Sequence, residues 1–274
     1  MTLIEVDVSK CKRDGVCASE CPAGIIQLKD KASFPEVVPG GEEACLVCGH
    51  CVAACPHGAL SHAQIPAQGC PPVRKDLVVG PEQAVQFLRS RRSIRQYRDA
   101  PVEKEKVQKL IEIARYAPTG GNTQLLEWWV FTDRNQLKRF AEMAVDWIRD
   151  LLRKASPAIF PPYFARILAG WEAGHDTILR KAPVLILASA PAETPNGMVE
   201  IAAALTYLQL AALPFGLGTC WAGLLQRALL HSQPLKQAFG LPEKAPHHYP
   251  MMLGYPRLEY HRLPKRKPPK IMWK

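Results

Sequence analysis

The sequence predicts an α+β protein in two parts: a small cysteine-rich N-terminal unit, then a larger domain of helices and strands. Three observations predict it. Seven of the nine cysteines lie between Cys11 and Cys55. Pro66, Gly69, Pro71, Pro72, Gly80 and Pro81 then crowd into residues 66–82, a density that reads as a boundary. Beyond it, apolar residues recur at helical spacing and alternate with short apolar runs. A chain of 274 residues has room for one large and one small domain. The expected division is 1–70 for the small unit, 71–82 for the linker and 83–274 for the large domain. With 47% apolar and 22% charged residues, a sizeable core is expected rather than disorder.

The small unit should open on a short strand at Ile4–Val8. Its chemistry is concentrated in the run CLVCGHCVAACP, which carries Cys45, Cys48, Cys51, Cys55 and Pro56. This is the full C-x2-C-x2-C-x3-C-P run of a bacterial-type iron–sulfur ferredoxin, whose first three thiolates wrap one corner of a cubane. Structural zinc more often takes two separated C-x2-C pairs. An earlier stretch with Cys11, Cys17, Cys21 and Pro22 repeats the run, with Asp14 in the place of the second Cys. Each copy leads into a small residue and an apolar stretch, Gly24–Leu28 and Gly58–Leu60.

This internal repeat resembles the two-cluster bacterial ferredoxin fold. The resemblance implies two [4Fe-4S] clusters, with the last Cys of each motif crossing to the other cluster. One cluster then takes Cys11, Asp14, Cys17 and Cys55; the other takes Cys45, Cys48, Cys51 and Cys21. Asp14 has three readings. It is an oxygen ligand, weaker toward iron than a soft thiolate. It is a non-ligand beside a three-iron cluster or an open iron. Or it is a surface acid in a unit that lacks that cluster. His50, inside the later run, is expected to shield its cluster, and Cys70, beside Pro71 and Pro72, reads as a free linker thiol.

Cysteines at metal spacing argue against disulfides and for a reducing compartment. MTLIEVDVSK has no basic region leading into an apolar one, so no signal peptide is expected and the cytoplasm is the predicted location. The net charge of +10 is uneven: residues 1–70 hold five Lys+Arg against eight Asp+Glu, and the rest 30 against 17. No nucleic-acid motif accompanies the basic part, so an anionic cofactor and a solvated surface are the expected reading. Residues 201–226 contain no charge, but Pro214, Gly216 and Gly218 interrupt them. A buried helix, a turn and a short strand are expected there, not a membrane span.

In the large domain, helices are expected at Glu82–Arg91, Val102–Tyr116, Leu137–Leu152 and Val199–Ala212. Strands are expected at Trp128–Thr132, Pro183–Ala190, Gly218–Trp221 and Pro250–Gly254. Three patches carry chemistry. Arg91-Arg92-Ser93-Ile94-Arg95 offers forked donors that suit a phosphate monoester; a solvated helix end is the plain alternative. Pro118-Thr119-Gly120-Gly121-Asn122-Thr123-Gln124 is a polar turn in which glycine permits close backbone approach; an ordinary turn is the alternative. Lys265-Arg266-Lys267 is a basic tail, solvated or ligand-binding.

In this order the three patches resemble the FMN-dependent nitroreductase family. RRSIRQY is similar to its basic–basic–Ser–x–basic entry, PTGGNTQ to its Pro-Ser-x-x-Asn-x-Gln turn, GLGTCWAGL to its glycine-containing loop, and GYPRLEYHRLPKRKPP to its basic ending. The Pro-Trp that usually follows the Gln is absent; Leu125 and Leu126 stand there. The resemblance spans about residues 84–269. It implies an α+β nitroreductase-like domain in which Arg91, Arg92, Ser93 and Arg95 hold the FMN phosphate and ribityl with Lys265 and Lys267. Backbone at Trp221, Ala222 and Gly223 would face the flavin ring. Pro118, Thr119, Gly120 and Asn122 would reach the flavin of a second subunit in an intertwined homodimer. Ala222 replaces an acid found in some relatives. Cys220 reads as packing. No side chain is a clear proton donor, so no catalytic residue is assigned.

The expected function is an oxidoreductase in which the clusters pass electrons to FMN, which reduces a nitroaromatic, quinone or activated double bond. An electron relay serving a partner enzyme and a redox sensor are the other readings. Reduced ferredoxin is one expected donor; the acidic N-terminal unit could equally dock a basic partner. Trp147, Phe160, Tyr163, Phe164 and Trp171, in and beside residues 150–180, read as a roof over the pocket or as dimer core.

Overall fold

The computed structural model describes residues 2–154, 163–194, 196–242 and 246–274. It divides into two compact units, Met1–Val78 with Gly121–Thr123, and Val79–Gly120 with Gln124–Lys274. Phe160 lies outside the described residues.

The first unit is built twice over. Strand β1 (Ile4–Val6), helix α1 (Val16–Ser19) and strand β2 (Ile26–Gln27) are followed by strand β3 (Glu36–Val37), helix α2 (His50–Ala53) and strand β4 (Leu60–His62). β1 pairs antiparallel with β4, and β2 with β3. Each one-turn helix starts from a glycine in the left-handed region, Gly15 and Gly49, both at φ 73°. Arg13 (φ 58°) and Val47 (φ 49°), each two residues after the first Cys of its motif, are left-handed too. A β-branched residue pays for that conformation, so the turn around each cysteine run is held by something stronger than local preference. The apolar core is small: Cys17, Ile25, Ile26, Cys51, Val52 and Leu60. A unit of this size needs staples beyond its core.

The second unit is a four-stranded antiparallel sheet covered on both faces. Its elements are α3 (Pro81–Ser90), α4 (Lys104–Ala114), β5 (Glu127–Phe131), α5 (Arg134–Lys154), α6 (Tyr163–Glu172), β6 (Val184–Ala190), α7 (Gly197–Ala212), β7 (Gly218–Trp221), α8 (Gly223–His231), α9 (Gln233–Ala238) and β8 (His247–Gly254). Strand order is β5-β6-β8-β7. All seven residues of β6 are buried, which explains why all but Ser189 are apolar; the Ser189 hydroxyl donates to His247 O at 3.1 Å. Leu185 and Leu187 join Phe140, Ala144 and Ile148 of α5 and Leu225 of α8 in one core. Val184, Ile186 and Ala188 join Leu110 of α4 and Ile201, Leu205 and Leu208 of α7 in the other. The uncharged stretch 201–226 is thus the buried α7, a turn at Gly216 (φ 69°), β7 and the start of α8. Among the described residues, no helix is long and apolar enough to cross a membrane.

Several elements differ from expectation for visible reasons. α3 starts at Pro81, whose fixed φ suits the first helical position, and the Gly80 N–H donates to Gln83 Oε1 at 3.0 Å. Arg91 leaves the helix at ψ 126°. β8 begins three residues before Pro250, because pairing with β6 carries it back to His247 opposite Ala190. The β2–β3 pair, α6, α8 and α9 have no counterpart in the sequence reading.

Candidate redox sites

In the first unit, the crossing of the two motifs gathers their side chains into two cavities. One is lined by Cys21, Cys45, Cys48, Cys51 and His62. The other is lined by Cys11, Asp14, Cys17, Cys55 and His57. All nine cysteines are free. Burial pushes the Cys17 thiol up, and Cys55 and Cys11 face it and add to the rise. Burial likewise raises Cys51, with Cys48 and Cys21 facing it. Iron removes such protons outright, because a coordinating thiol is deprotonated by its metal. No group of three or more His, Cys, Asp or Glu among the described residues closes around a single ion. A cubane asks for a wider frame, with one protein ligand at each iron corner. The four cysteines of the first cavity fit that group, and the second cavity offers three cysteines and Asp14.

The polar surroundings of the two cavities differ. Asp14 Oδ1 accepts from the Val16 N–H at 3.2 Å, and Oδ2 lies 3.4 Å from His57 Nε2. His62 is 3% exposed, with Nε2 3.4 Å from Cys45 Sγ. Its Nδ1 accepts from the Gln64 N–H at 3.1 Å. Burial pushes this imidazole down. His50, the histidine expected to shield a cluster, is exposed and lines neither cavity. His62 was not anticipated; its only sequence signal is a polar residue closing an apolar strand.

In the second unit, the cationic segment is fixed from both ends of the domain. The Ile94 N–H donates to Thr219 O of β7 at 2.9 Å. The Arg98 N–H donates to Tyr255 O at 2.8 Å, and the Arg257 N–H to Gln96 O at 2.9 Å. The Tyr97 hydroxyl donates to Ile94 O at 2.8 Å, and burial pushes its phenol up. Arg92 lies over the Tyr260 ring, 5.8 Å from its centre. Gly218 makes this closeness possible: a Cβ there would overlap Ile94 Cγ1 and stand 2.9 Å from Pro256 Cγ. Burial raises the Cys220 thiol, against the pull of Arg95, a Ser93 hydrogen bond, Arg180 and Arg91. The structure therefore brings Arg91, Ser93 and Arg95 to one place and adds Arg180, a left-handed residue (φ 58°) the sequence did not flag. Among the described residues Arg91, Arg92 and Arg95 have no carboxylate partner, whereas Arg134, Arg149 and Arg153 do. Guanidiniums left without counter-ions suit an anionic ligand. Lys265 and Lys267 are exposed and make no ion pair among the described residues.

Trp221 ends β7, its indole N–H donating to Gln209 Oε1 at 3.3 Å and its ring meeting Tyr249 edge-on at 4.9 Å. Ala222 is 1% exposed and caps α8, with its N–H donating to Pro250 O at 3.0 Å. A Cβ on Gly223 would stand 3.4 Å from the Tyr249 hydroxyl. Pro118 is exposed, and Thr119 Oγ1 accepts from the Gln124 N–H at 3.1 Å. The Gly120 N–H donates to Glu200 Oε1 at 2.8 Å. Glu200 is 2% exposed, and its Oε2 has no partner. Asn122 (φ 56°) falls in the first unit, where its amide donates to the carbonyls of Leu46 and Val47 at 3.2 and 2.8 Å. Trp147 and Trp171 pack against the α5–α8 core, which Phe164 enters fully, while Tyr163 stays exposed.

Sets of cysteines around a cavity suit redox metals, and arginines without counter-ions suit phosphate-bearing cofactors. A chain with both is of the multi-centre oxidoreductase class. Residues 88–255 match the nitroreductase family, and residues 9–60 match a 4Fe-4S dicluster domain. The chain belongs to the nitroreductase family and is an oxidoreductase with a ferredoxin-type 4Fe-4S domain. An Archaeoglobus fulgidus protein, provisionally named an NADH dehydrogenase/NAD(P)H nitroreductase, is 29% identical over 178 residues, 65% of this chain and 88% of its own. A nitroreductase with bound FMN from Desulfitobacterium hafniense DCB-2 has a TM-score of 0.55 at 19% identity, over 69% of this chain and 96% of that one. A BluB-like flavoprotein from Clostridium difficile 630 has a TM-score of 0.54 at 20% identity, over 68% and 94%. At these identities the two solved structures speak to fold alone.

Proposed function

We propose that the protein is a self-wired flavoenzyme, in which residues 1–70 deliver electrons singly to FMN bound in residues 83–274. The observation that carries this reading is the union, on one chain, of two thiolate-lined cavities and a nitroreductase-family domain. Cys11, Asp14, Cys17 and Cys55 hold one cluster, and Cys21, Cys45, Cys48 and Cys51 the other. Asp14 lines that cavity beside the three cysteines, which supports its place among the ligands. When bound, the clusters carry electrons one at a time and FMN stores two, for delivery to a nitroaromatic, quinone or activated double bond.

Arg91, Arg92 and Arg95 neutralise the phosphate with forked donors, and Ser93 adds a hydroxyl. Lys265 and Lys267 close over it from the tail. Trp221 and Gly223 present backbone to the ring at the start of α8, on either side of Ala222, whose own N–H and carbonyl are taken by Pro250 and Gln226 and which offers no carboxylate there. Pro118, Thr119, Gly120 and Asn122 face the cofactor of a second copy in a homodimer. Exposed Val85 and Leu88 on α3 and Val199 and Tyr207 on α7 provide apolar surface for such a copy. Nine unpaired cysteines suit a reducing cytoplasm.

Anaerobic iron, sulfide and FMN stoichiometry tests the assembly; the expectation is about eight irons per chain and one FMN. Four irons would remove the Asp14 cluster, and no FMN would remove the enzyme. Turnover separates the roles. Steady reduction of a small acceptor with reduced ferredoxin or dithionite supports the enzyme. Reduction only with a protein partner present supports a relay. A change of association on oxidation, with no turnover, supports a sensor. Parallel assays with NADH and NADPH decide whether a nicotinamide can replace the ferredoxin donor.

A further inference from the structure

We propose that His62 is a positioning residue that raises the reduction potential of the cluster held at Cys45 above that of the Asp14-containing cluster. The inference rests on the cysteine sets assigned above. His62 closes β4, pairs across β1 with Ile4 and is 3% exposed. The Gln64 N–H donates to its Nδ1 at 3.1 Å, so that nitrogen carries a lone pair and no proton. The ring proton is therefore on Nε2, 3.4 Å from Cys45 Sγ. The Val47 N–H reaches the same sulfur at 3.4 Å, from a backbone held left-handed at φ 49°. Two donors thus converge on one half-buried sulfur.

One-electron reduction adds a negative charge to a cluster and its thiolates. N–H donors stabilise the more negative state more, so they favour reduction. The other cavity is built differently. Its Cys55 Sγ accepts from the Ala59 N–H at 3.3 Å, and its imidazole, His57, lies 3.4 Å from Asp14 Oδ2, meeting a carboxylate oxygen rather than a thiolate. Leu28 follows Cys21 at the same spacing as His62 follows Cys55, so the repeat lacks the imidazole on that side. Asp14 replaces a soft thiolate with a hard, anionic oxygen that favours the oxidised metal. Both differences push the same way, so an electron entering the first unit comes to rest on the Cys45 side.

The test is a redox titration of the anaerobically loaded full chain, followed by paramagnetic resonance, with wild type, His62→Leu and His62→Gln. In His62→Leu the reduction equilibrium of the higher-potential cluster falls about tenfold, 59 mV for one electron. The lower-potential cluster and the iron and sulfide content stay unchanged. His62→Gln, which restores an N–H donor, recovers at least half of the shift. An unshifted potential in fully loaded His62→Leu overturns the proposal and leaves the cluster assignment standing. Wild type without two cluster signals overturns the assignment itself. If His62→Leu does not load, wild type labelled with ¹⁵N-histidine decides. Pulsed resonance on the reduced, higher-potential cluster should show a nitrogen coupling that survives His50→Ala, and its absence overturns the proposal.

Discussion

Replacing Gly218 with alanine tests whether the segment Arg91–Arg95 holds the flavin. A Cβ at Gly218 would overlap Ile94 Cγ1, stand 3.0 Å from Ile94 Cβ and stand 2.9 Å from Pro256 Cγ. Ordinary contact begins at 3.4 Å, so Ile94 and Pro256 must retreat together. Ile94 is also pinned by its N–H to Thr219 O at 2.9 Å. Overpacking of this kind costs about 1–3 kcal/mol, and a strained backbone hydrogen bond about 1 kcal/mol. A stability loss of about 2–4 kcal/mol is therefore expected, read by urea unfolding of the loaded chain. Ile94 lies between Ser93 and Arg95, so its retreat misaligns the Ser93 hydroxyl on one side and the forked donors of Arg95 on the other. Losing one charge-assisted hydrogen bond weakens FMN binding by about 1.5–3 kcal/mol, roughly ten- to a hundredfold in Kd. Quenching of flavin fluorescence on binding measures it. Gly69→Ala is the control, because no atom lies within 4 Å of its added Cβ. Loss of stability with unchanged FMN affinity would refute the assignment of this segment. No loss of either would refute the packing argument.

Three further outcomes follow from buried polar groups and from Asp14. Glu200→Gln keeps an acceptor for the Gly120 N–H and should change stability by less than about 1 kcal/mol, whereas Glu200→Ala strands that donor and should cost about 1–3 kcal/mol in thermal or urea unfolding. Asp14→Cys should hold the iron of its cluster longer during air exposure than wild type, followed by iron release, because a thiolate is the softer ligand. Burial pushes His248 from 6.5 down to about 4, with Nδ1 at 3.2 Å from Gln226 Oε1 and Nε2 unpartnered. The unfolded chain takes up this proton first, so stability is full above pH 6.5 and falls as pH drops towards 4. The linked loss is at most about 3 kcal/mol. His248→Asn should flatten this limb in urea midpoints measured at pH 7 and pH 4.5.

Periodicity made most of the second unit legible. β6 is apolar at all but Ser189 because both its faces are buried, and α7 carries a single acid, Glu200, buried against the Gly120 N–H, while its Val199 and Tyr207 stay exposed. What escaped depends on contacts distant in sequence. β8 is lengthened by pairing with β6, which overrides the poor strand propensity of Pro250. The β2–β3 pair has two residues per strand, too few for any period to register. At the sites, the cysteine spacing announced its own chemistry. His62 did not, because only the fold carries it across to a cysteine 17 positions earlier. Arg180 likewise comes near enough to Cys220 to act on its thiol by folding and not by motif. Conversely, the tail lysines drew notice by their charge, yet they remain exposed.

The pairing of Arg98 with Tyr255, Gln96 with Arg257 and Tyr97 with Pro256 joins the beginning of the second unit to its end. That closure sets an order on biogenesis. All the candidate cluster ligands lie at or before Cys55 and emerge from the ribosome ahead of the second unit. The partners of the Arg91–Tyr97 segment, Thr219 and Tyr255 to Arg257, are made well after it. A nascent chain can therefore complete the candidate cluster ligand sets while translation continues, but it cannot fix this cationic segment until Arg257 has emerged. A chain that stalls before Tyr255 would carry every candidate cluster ligand and an unsupported cationic segment.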